Sequence, residues 1–506
     1  PSRGLGDVYK RQIRIFGFYF NNTQKESYMG TYIEGDRDFE EIPSLSAKAL
    51  RINLNKRIYG TFSEIGAGQE TVRYFFRAGG ASGTIAKAVS AYDKNFSDAL
   101  YGAEKDGRYV TEGRLKKMLT HEIKLLEERL PREKYPDKLF FTYANTVTTI
   151  DFAKRYKGHG WVGIRFQTEP EGGYNDIILH IRFHQIETRA QQETLGKLGV
   201  NLIHSAFYKA DKPHSIIRYL YDHIDKDLIE IDMINFSGPK FATVDNRLMS
   251  LQLIKNGMTE AVMFDAQGNN LLPAEELYKK NILTIRGSFR PVANVNIDML
   301  ERSLELFLKE KGVEKDNTEV IFEITLSNLL ASGELDEQDF MDRARILSSL
   351  GYKVLISNFK EYYRLAEYFS NYTKAQMGMV MGADNLIAIF KEEYYTHLSG
   401  GILEAFGKLF YRDIKIYLYP MRDKDTGQII TSNNIQVPPR MKELYKFFKF
   451  NEKVVDIHNY DAKNLEIRSR DIVQKIKNGE DGWQSSLPQG VAEMIETYGY
   501  FGWKKK

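Results

Sequence analysis

Two kinds of hydrophobic pattern follow one another along the chain. From residue 46 to about 132, apolar residues recur three and four positions apart, which predicts helices. The clearest of these spans residues 111–130 and ends at Pro131. Apolar and polar residues alternate over 161–167 and 176–183, on either side of the turn EPEGGYN, and this predicts a β-hairpin.

From residue 201 onward, short β-rich runs alternate with helical runs, which predicts parallel βα units. We predict strands at residues 201–208, 228–236, 260–266, 281–289, 319–327, 353–359, 375–382 and 414–421. This repetition indicates an α/β fold, specifically a (β/α)8 barrel of the TIM type. A doubly wound parallel sheet is the alternative, because residues 138–145 predict one more strand.

These patterns divide the chain into four predicted regions. A loose leader occupies residues 1–45, and its first twelve residues look like read-through of a sequencing adapter; the leader lacks the features of a signal peptide. A helical N-terminal region with the β-hairpin covers 46–200, the barrel covers 201–421, and a C-terminal extension covers 422–506.

Composition narrows the class of protein. The chain has 506 residues, of which 42% are hydrophobic and 27% charged, as in soluble globular proteins, and no apolar run is long enough to span a membrane. The net charge of +3, from 71 basic and 68 acidic residues, predicts neither a nucleic-acid nor a membrane partner. The absence of cysteine excludes disulfides, cysteine-bound metals and a thiol nucleophile. We expect a cytoplasmic protein.

Candidate site residues stand near the C-terminal ends of the predicted strands, where α/β proteins build their sites. Glu230, Asp232 and Glu323 face away from the apolar side of their strands, and we predict that they act as catalytic acids or bases. Asp232 and Glu323 could also hold Mg²⁺ through carboxylate oxygens. The predicted substrate-binding residues are Arg286, Ser288, Arg290, Asn358 and Asp265. The alternative is an internal network of ion pairs that only fixes the strand register.

Two glycine-containing turns offer candidate phosphate sites. In IRGSFRPVANVNID, residues 285–298, a strand meets a tight turn and then a helix, so that backbone N–H groups together with Arg286 and Arg290 could hold an anion. The alternative is an ordinary strand-to-helix turn interrupted by Pro291. The stretch RAGGASGT, residues 77–84, could cradle a phosphate or simply connect two helices.

Five segments spread along the chain share one resemblance: ALRINLNKRIYGTFSEIGAGQE, INFSGP, RGSFRPV, FEITLSNL and SGGILEAFGKLFYRD. They resemble an uncharacterised family of bacterial proteins whose members are often labelled nicotinate-nucleotide adenylyltransferase. Within them GSFRPVANVN is similar to the G-T-F-D-P-x-H-x-x-H turn of HxGH nucleotidyltransferases, with Ala293 and Asn296 at the histidine positions and Arg290 at the aspartate. The resemblance implies a nucleotidyltransferase-like protein that lacks both motif histidines.

Residues 320–369 also resemble the middle of an EAL phosphodiesterase barrel. FEITLSNL and LGYKVLISNFKEYYRLAEYF carry this likeness. It implies that Glu323 matches a metal ligand, while Ser357 and Asn358 replace an acidic pair and Arg286 replaces an asparagine ligand. The likeness favours barrel topology.

The sequence leaves two functional hypotheses. One is an enzyme that processes a nucleotide or phosphorylated metabolite, most concretely an activity like that of nicotinate-nucleotide adenylyltransferase. The other is a catalytically inactive barrel that serves as a binding or assembly protein. The expected partner is a phosphorylated small molecule or nucleotide, and the sequence is compatible with an oligomer; a protein that responds to no such ligand would favour the assembly hypothesis.

Overall fold

The computed structural model describes residues 42–154, 157–331, 333–411 and 413–504. Of the predicted leader, residues 1–41 lie outside the described residues. Over the described part of the chain, no helix is both long enough and apolar enough to cross a membrane.

The first part of the chain forms a six-stranded mixed sheet. Its strands are β1 Ile58–Ile65, β2 Ile85–Val89, β3 Leu139–Thr148, β4 His159–Phe166, β5 Asn175–Phe183 and β6 Ile229–Ser237. They lie in the order β2-β1-β3-β4-β5-β6, where β1 is parallel to β2 and β3 and the remaining pairs are antiparallel. The predicted hairpin is confirmed as β4 and β5.

Seven helices accompany this sheet in the described residues. They are α1 Leu45–Asn53, α2 Glu70–Ala78, α3 Lys94–Tyr101, α4 Glu112–Arg129, α5 Thr188–Tyr208, α6 Pro213–Leu220 and α7 Asn246–Lys255. The α4 helix confirms the one predicted at 111–130, and it begins where the Thr111 hydroxyl accepts a hydrogen bond from the Arg114 N–H, at 3.1 Å. The glycine-rich stretch 77–84 joins α2 to β2, so it connects a helix to a strand and not two helices as predicted.

The second part forms an eight-stranded sheet and a short separate hairpin. Its strands are β7 Ala261–Phe264, β8 Asn270–Leu271, β9 Asn281–Arg286, β10 Thr318–Thr325, β11 Lys353–Ser357, β12 Met377–Gly382, β13 Lys415–Tyr419, β14 Met421–Arg422, β15 Ile429–Ile430 and β16 Val454–Asp456. The sheet has the order β16-β13-β12-β9-β10-β11-β7-β8, and β14 pairs with β15. From β11 to β16 all neighbours are parallel, whereas β7 and β8 run antiparallel at the edge.

The remaining helices lie on the two faces of the second sheet or in the C-terminal region. They are α8 Pro273–Glu276, α9 Asn294–Phe307, α10 Leu326–Leu329, α11 Glu337–Ser349, α12 Tyr362–Ser370, α13 Ala383–Ile389, α14 Gly401–Leu409, α15 Lys442–Phe450, α16 Ser469–Asn478 and α17 Val491–Tyr498. One sheet face packs against α9, α11, α16 and α17, and the other against α12 to α15. We call these the α9 face and the α12 face.

The C-terminal region completes the core on the α9 face. Trp483, Tyr500 and Phe501 are all buried there. The Phe501 N–H donates a 2.9 Å hydrogen bond to Oδ2 of Asp342, which lies on α11. Residues predicted as a C-terminal extension are therefore part of the packed interior of the second sheet.

The strand order of the two larger sheets tests the predicted fold class. The α/β class with parallel βα units is confirmed, but both larger sheets are open and the described residues contain no closed barrel, so the (β/α)8 barrel is not confirmed. Residues 201–208, predicted as the first barrel strand, belong to α5. Residues 228–236 form β6 of the first sheet, where they pair antiparallel with β5. The parallel core, numbered along the chain from β9, has the order 3-2-1-4-5-6 of doubly wound sheets, the predicted alternative.

Candidate functional site

The strand order of the second sheet reverses beside β9. The chain passes from β9 to its neighbour β10 and then β11 on one side, and afterwards to β12 and β13 on the other side. The loops that leave β9 and β12 therefore diverge at their carboxyl ends. In open α/β sheets a crevice at such a switch point is where ligands bind.

The loop after β9 has an unusual backbone. Phe289 has a φ of +46°, and the Arg290–Pro291 peptide bond is cis. A Cβ atom at Gly287 would lie 2.9 Å from the Phe289 ring, so a larger residue here would require this ring to shift. The loop leaves the Ser288 side chain exposed and holds the Ser288 carbonyl, which accepts a 3.0 Å hydrogen bond from Arg343.

The residues at the two motif histidine positions serve the start of α9. Ala293 is the N-cap residue, and its N–H donates a 2.9 Å hydrogen bond to Oδ1 of Asn296. The Asn296 side chain therefore closes the first turn of its own helix. Neither position supplies a cationic group to the switch point.

Arg286 lies on the α12 face and binds Glu323 rather than open solvent. Its Nε and Nη2 donate to the two Glu323 oxygens at 2.7 and 2.9 Å, and its guanidinium carbon lies 4.3 Å from the centre of the Tyr362 ring. Glu323 is fully buried and also accepts a 2.6 Å hydrogen bond from Ser357. The Arg286 charge is thus neutralised within the sheet, which is the ion-pair arrangement that the sequence left as the alternative.

Arg290 is also paired. Its Nε lies 2.5 Å from Oδ1 of Asp339, a residue of α11 that binds Arg343 as well. Both arginines predicted to clamp an anion therefore have a carboxylate partner.

The other two predicted acids lie on the first sheet. Asp232 accepts a 2.6 Å hydrogen bond from Nδ1 of His180, and Nε2 of His180 lies 3.3 Å from Nδ1 of His159. Since Asp232 fixes the proton on Nδ1 of His180, the free Nε2 accepts from His159. We call these three side chains the histidine row.

Burial governs the acid–base behaviour around the histidine row. It lowers the pKa of His159 to about 4, with a further contribution from His180, so His159 is neutral near pH 7. Burial and the neighbouring Asp232 raise the pKa of Glu230, which accepts a 2.6 Å hydrogen bond from Thr259. Two neighbouring carboxyl groups thus have different environments, one paired with an imidazole and one with a hydroxyl.

The histidine row lies near a contact between the two sheets. Arg182 of β5 stands opposite Glu230 in the strand register and donates a 2.5 Å hydrogen bond to the hydroxyl of Tyr372, which follows α12. The row itself was missed from the sequence, because it depends on how β4, β5 and β6 align across the sheet.

The remaining predicted residues, Asp265 and Asn358, form no hydrogen bond with any described residue of the loop after β9 or of the histidine row. Asp265 accepts hydrogen bonds from Gln267 and Asn269 within its own turn. The backbone N–H of Asn358 donates to Glu260, and its side chain is exposed.

The predicted Mg²⁺ ligands do not form one donor set. Asp232 belongs to the first sheet and Glu323 to the second, and each carboxylate is occupied by its own protein partner. In the part of the chain that the structure describes, no three histidine, aspartate or glutamate side chains are grouped to hold a metal ion. Mg²⁺ stays a prediction without a site in this arrangement.

Comparison with known proteins does not establish a family. No known protein family matches the chain. No curated protein matches it either.

Among solved structures, the nicotinic acid mononucleotide adenylyltransferase of Plasmodium falciparum in complex with NaAD is 13% identical, with a TM-score of 0.28 over 44% of this chain and 98% of that one. The competence/damage inducible protein CihA of Agrobacterium tumefaciens is 13% identical, with a TM-score of 0.23 over 32% of this chain and 96% of that one. A CinA superfamily protein of Klebsiella pneumoniae is 10% identical, with a TM-score of 0.24 over 33% and 97%. Similarity this low identifies neither a family nor an activity.

Proposed function

We propose that this protein binds a nucleotide or another phosphorylated small molecule at the switch point beside β9. The observation that carries the proposal is the reversal of strand order at β9, where a strand, a tight turn and the start of α9 follow in direct succession. Phosphate groups bind well at such places, because backbone N–H groups and the helix dipole both favour negative charge.

The loop supplies donors for an anion. The Ser288 hydroxyl is exposed. Over the described residues, the N–H groups of Ser288, Asn294 and Val295 have no hydrogen-bond acceptor. Ser288 and the first turn of α9 would therefore hold the phosphate through neutral donors, while Arg286 and Arg290 position the loop through their carboxylate partners.

Nucleotidyl transfer of the adenylyltransferase type is the more specific form of this proposal. It requires groups that stabilise charge developing on the transferred phosphoryl group. Ala293 offers none, and the Asn296 oxygen is engaged in the cap of α9. We therefore place binding ahead of transfer, in agreement with the hypothesis of a catalytically inactive binding protein.

Calorimetric titration with ATP and with nicotinate mononucleotide, with and without Mg²⁺, tests the proposal. We expect Ser288→Asp to weaken binding at least tenfold, because it places a carboxylate among the donors. Ser46→Asp, at an exposed serine on α1, is the matched control and should bind as the wild type does. Absence of binding by the wild type, or equal affinity of Ser288→Asp and wild type, would refute the proposal.

A further inference from the structure

A cavity lies between α2 and α5 of the first sheet region, lined by none of the residues discussed at the switch point. It has a volume of about 430 Å³, which falls within the range of small-molecule sites. Its cationic lining residues are Arg73, Arg77, Arg189 and Lys197, with Tyr74 and Gln192 between them. We call it the basic groove.

The basic groove carries uncompensated positive charge. Arg73 pairs with Glu70 at 3.2 Å, and Arg189 pairs with Glu193 at 2.9 Å. These two glutamates are the acidic residues that line the groove. Within the described residues, Arg77 and Lys197 have no carboxylate partner. The groove therefore has an excess of two positive charges.

In the two ion pairs of the groove, Arg73–Glu70 and Arg189–Glu193, a bound anion can readily replace the glutamate. The Glu193 side chain is 51% exposed and that of Arg189 is 88% exposed. Ion pairs in such positions contribute little to stability, since water screens them. An incoming anion can take over Arg189 at small cost, and Arg73 in the same way.

The walls of the groove are held in place by close packing of the two helices. A Cβ atom at Gly196 would lie 2.9 Å from Cβ of Glu70, so α5 and α2 approach each other as closely as backbone allows. The Glu64 carboxylate accepts hydrogen bonds from the N–H groups of Thr71 and Val72, at 3.2 and 2.9 Å, and thereby anchors the start of α2. A ligand thus meets cations that are already gathered, which reduces the entropy lost on binding.

We infer that the basic groove binds a small molecule with linked phosphate groups, either inorganic pyrophosphate or the phosphate chain of a nucleotide. The charge excess matches a compact polyanion, and the volume admits one molecule of nucleotide size. The site differs from the switch point in its sheet, its helices and its use of charged donors, so it does not depend on the proposed function.

Titration with pyrophosphate and with ATP at low ionic strength, followed by phosphorus NMR and calorimetry, tests this inference. The variant Arg77→Ala/Lys197→Ala should lose at least tenfold in pyrophosphate affinity. The variant Glu193→Gln should bind severalfold more tightly, because it removes a competing carboxylate; damage to the fold cannot produce this gain. Lys116→Ala/Lys124→Ala, at exposed lysines of α4, is the matched control and should match the wild type.

The outcomes separate the two proposed sites and the two ligand sources. Ser288→Asp should leave pyrophosphate binding at the groove unchanged. The two probes are compared in Ser288→Asp, where ATP binding at the switch point is weakened. Equal binding of pyrophosphate and ATP there would support recognition of the phosphates alone, whereas tighter ATP binding would support a nucleotide. The inference is overturned if the wild type binds neither probe, if the double variant at Arg77 and Lys197 keeps its affinity, or if Glu193→Gln weakens binding.

Discussion

Arg286 and Glu323 stand side by side in the register of β9 and β10 and are joined by two hydrogen bonds of 2.7 and 2.9 Å. Glu323 has no exposed surface, and 8% of the Arg286 side chain is exposed. A carboxylate can remain ionised at such a depth only with a partner of opposite charge. Each of the two buried charges therefore depends on the other for its compensation.

Removal of one partner should be strongly destabilising. We expect Arg286→Ala to lower the free energy of unfolding by about 3–5 kcal/mol, because it leaves Glu323 buried without compensation. Replacement of both, as Arg286→Met/Glu323→Leu, should restore most of this loss. Urea unfolding measures both values. Lys446→Ala, which removes an exposed ion pair with Glu443 on α15, is the control and should change the free energy of unfolding by less than about 1 kcal/mol. A change below 1 kcal/mol for Arg286→Ala would contradict this account.

The histidine row should report on the loss of Asp232. In Asp232→Ala the Nδ1–H group of His180 has no acceptor, and we expect a loss of about 1–3 kcal/mol in the free energy of unfolding. Nitrogen-15 NMR of the imidazoles should show His180 losing its preference for the Nδ1–H tautomer. His184→Ala is the control and should leave the His180 spectrum unchanged. His184 is 42% exposed, and its Nε2 lies 3.9 Å from a carboxylate oxygen of Glu230, outside the histidine row. An unchanged His180 spectrum in Asp232→Ala would be incompatible with the row.

Glu64 predicts a definite pH dependence of stability. Burial raises its pKa from 4.5 to about 7, so the folded protein holds this proton to a higher pH than the unfolded chain does. The contribution to stability is complete below about pH 4.5 and is lost as the pH rises to about 7; at about 1.4 kcal/mol per pH unit, the loss is about 3 kcal/mol.

Glu64→Gln removes this titration. The difference in unfolding free energy between wild type and Glu64→Gln should fall across that pH range and then level off. Glu128→Gln, at an exposed glutamate of α4, should show no such slope. A difference that rises with pH would show that the Glu64 pKa is lowered instead.

Gly199 should not tolerate a side chain. Its Cβ atom would lie 2.4 Å from Cγ2 of Thr71 and 2.7 Å from the Tyr143 hydroxyl, so these two buried side chains, which are hydrogen-bonded to each other, must shift. We expect Gly199→Ala to lower the free energy of unfolding by about 1–3 kcal/mol. Gly407→Ala, within α14 and without neighbours inside 4 Å, should instead be neutral or stabilising by up to about 1 kcal/mol. Equal effects of both substitutions in thermal unfolding would contradict the close crossing.

The sequence predicted features that depend on neighbours along the chain. The helix at 111–130 and the hairpin both follow from the local pattern of apolar and polar residues. Gly257 and Gly351 have φ values of +67° and +84°, as expected for residues that stop a helix. Asp336 caps α11 by accepting hydrogen bonds from the N–H groups of Gln338 and Asp339.

Features that depend on the whole sheet could not be predicted in this way. Residues 201–208 lie in a helix that is buried on nearly every side, and such a helix has the same continuous apolar run as a strand. Barrels and wound sheets are built from the same βα unit, so only the strand order separates them. Glu230 and Glu323 occur in similar strands, but one strand entered the first sheet and the other the second.

The candidate site residues also divide into those that local sequence predicts and those that depend on the assembled sheets. The pair of Arg286 and Glu323 is an instance of the internal ion pairs that the sequence left as the alternative, because the two residues stand opposite each other on neighbouring strands. The histidine row depends on a three-strand register, and the basic groove on the crossing of two helices separated by more than a hundred residues. Neither arrangement leaves a spacing motif in the sequence.

The burial of Phe501 beneath α11 has a consequence for how the chain matures. While the polypeptide is being synthesised, the core on the α9 face stays incomplete until residues near 500 have emerged from the ribosome. The first sheet, complete by residue 237, can close long before.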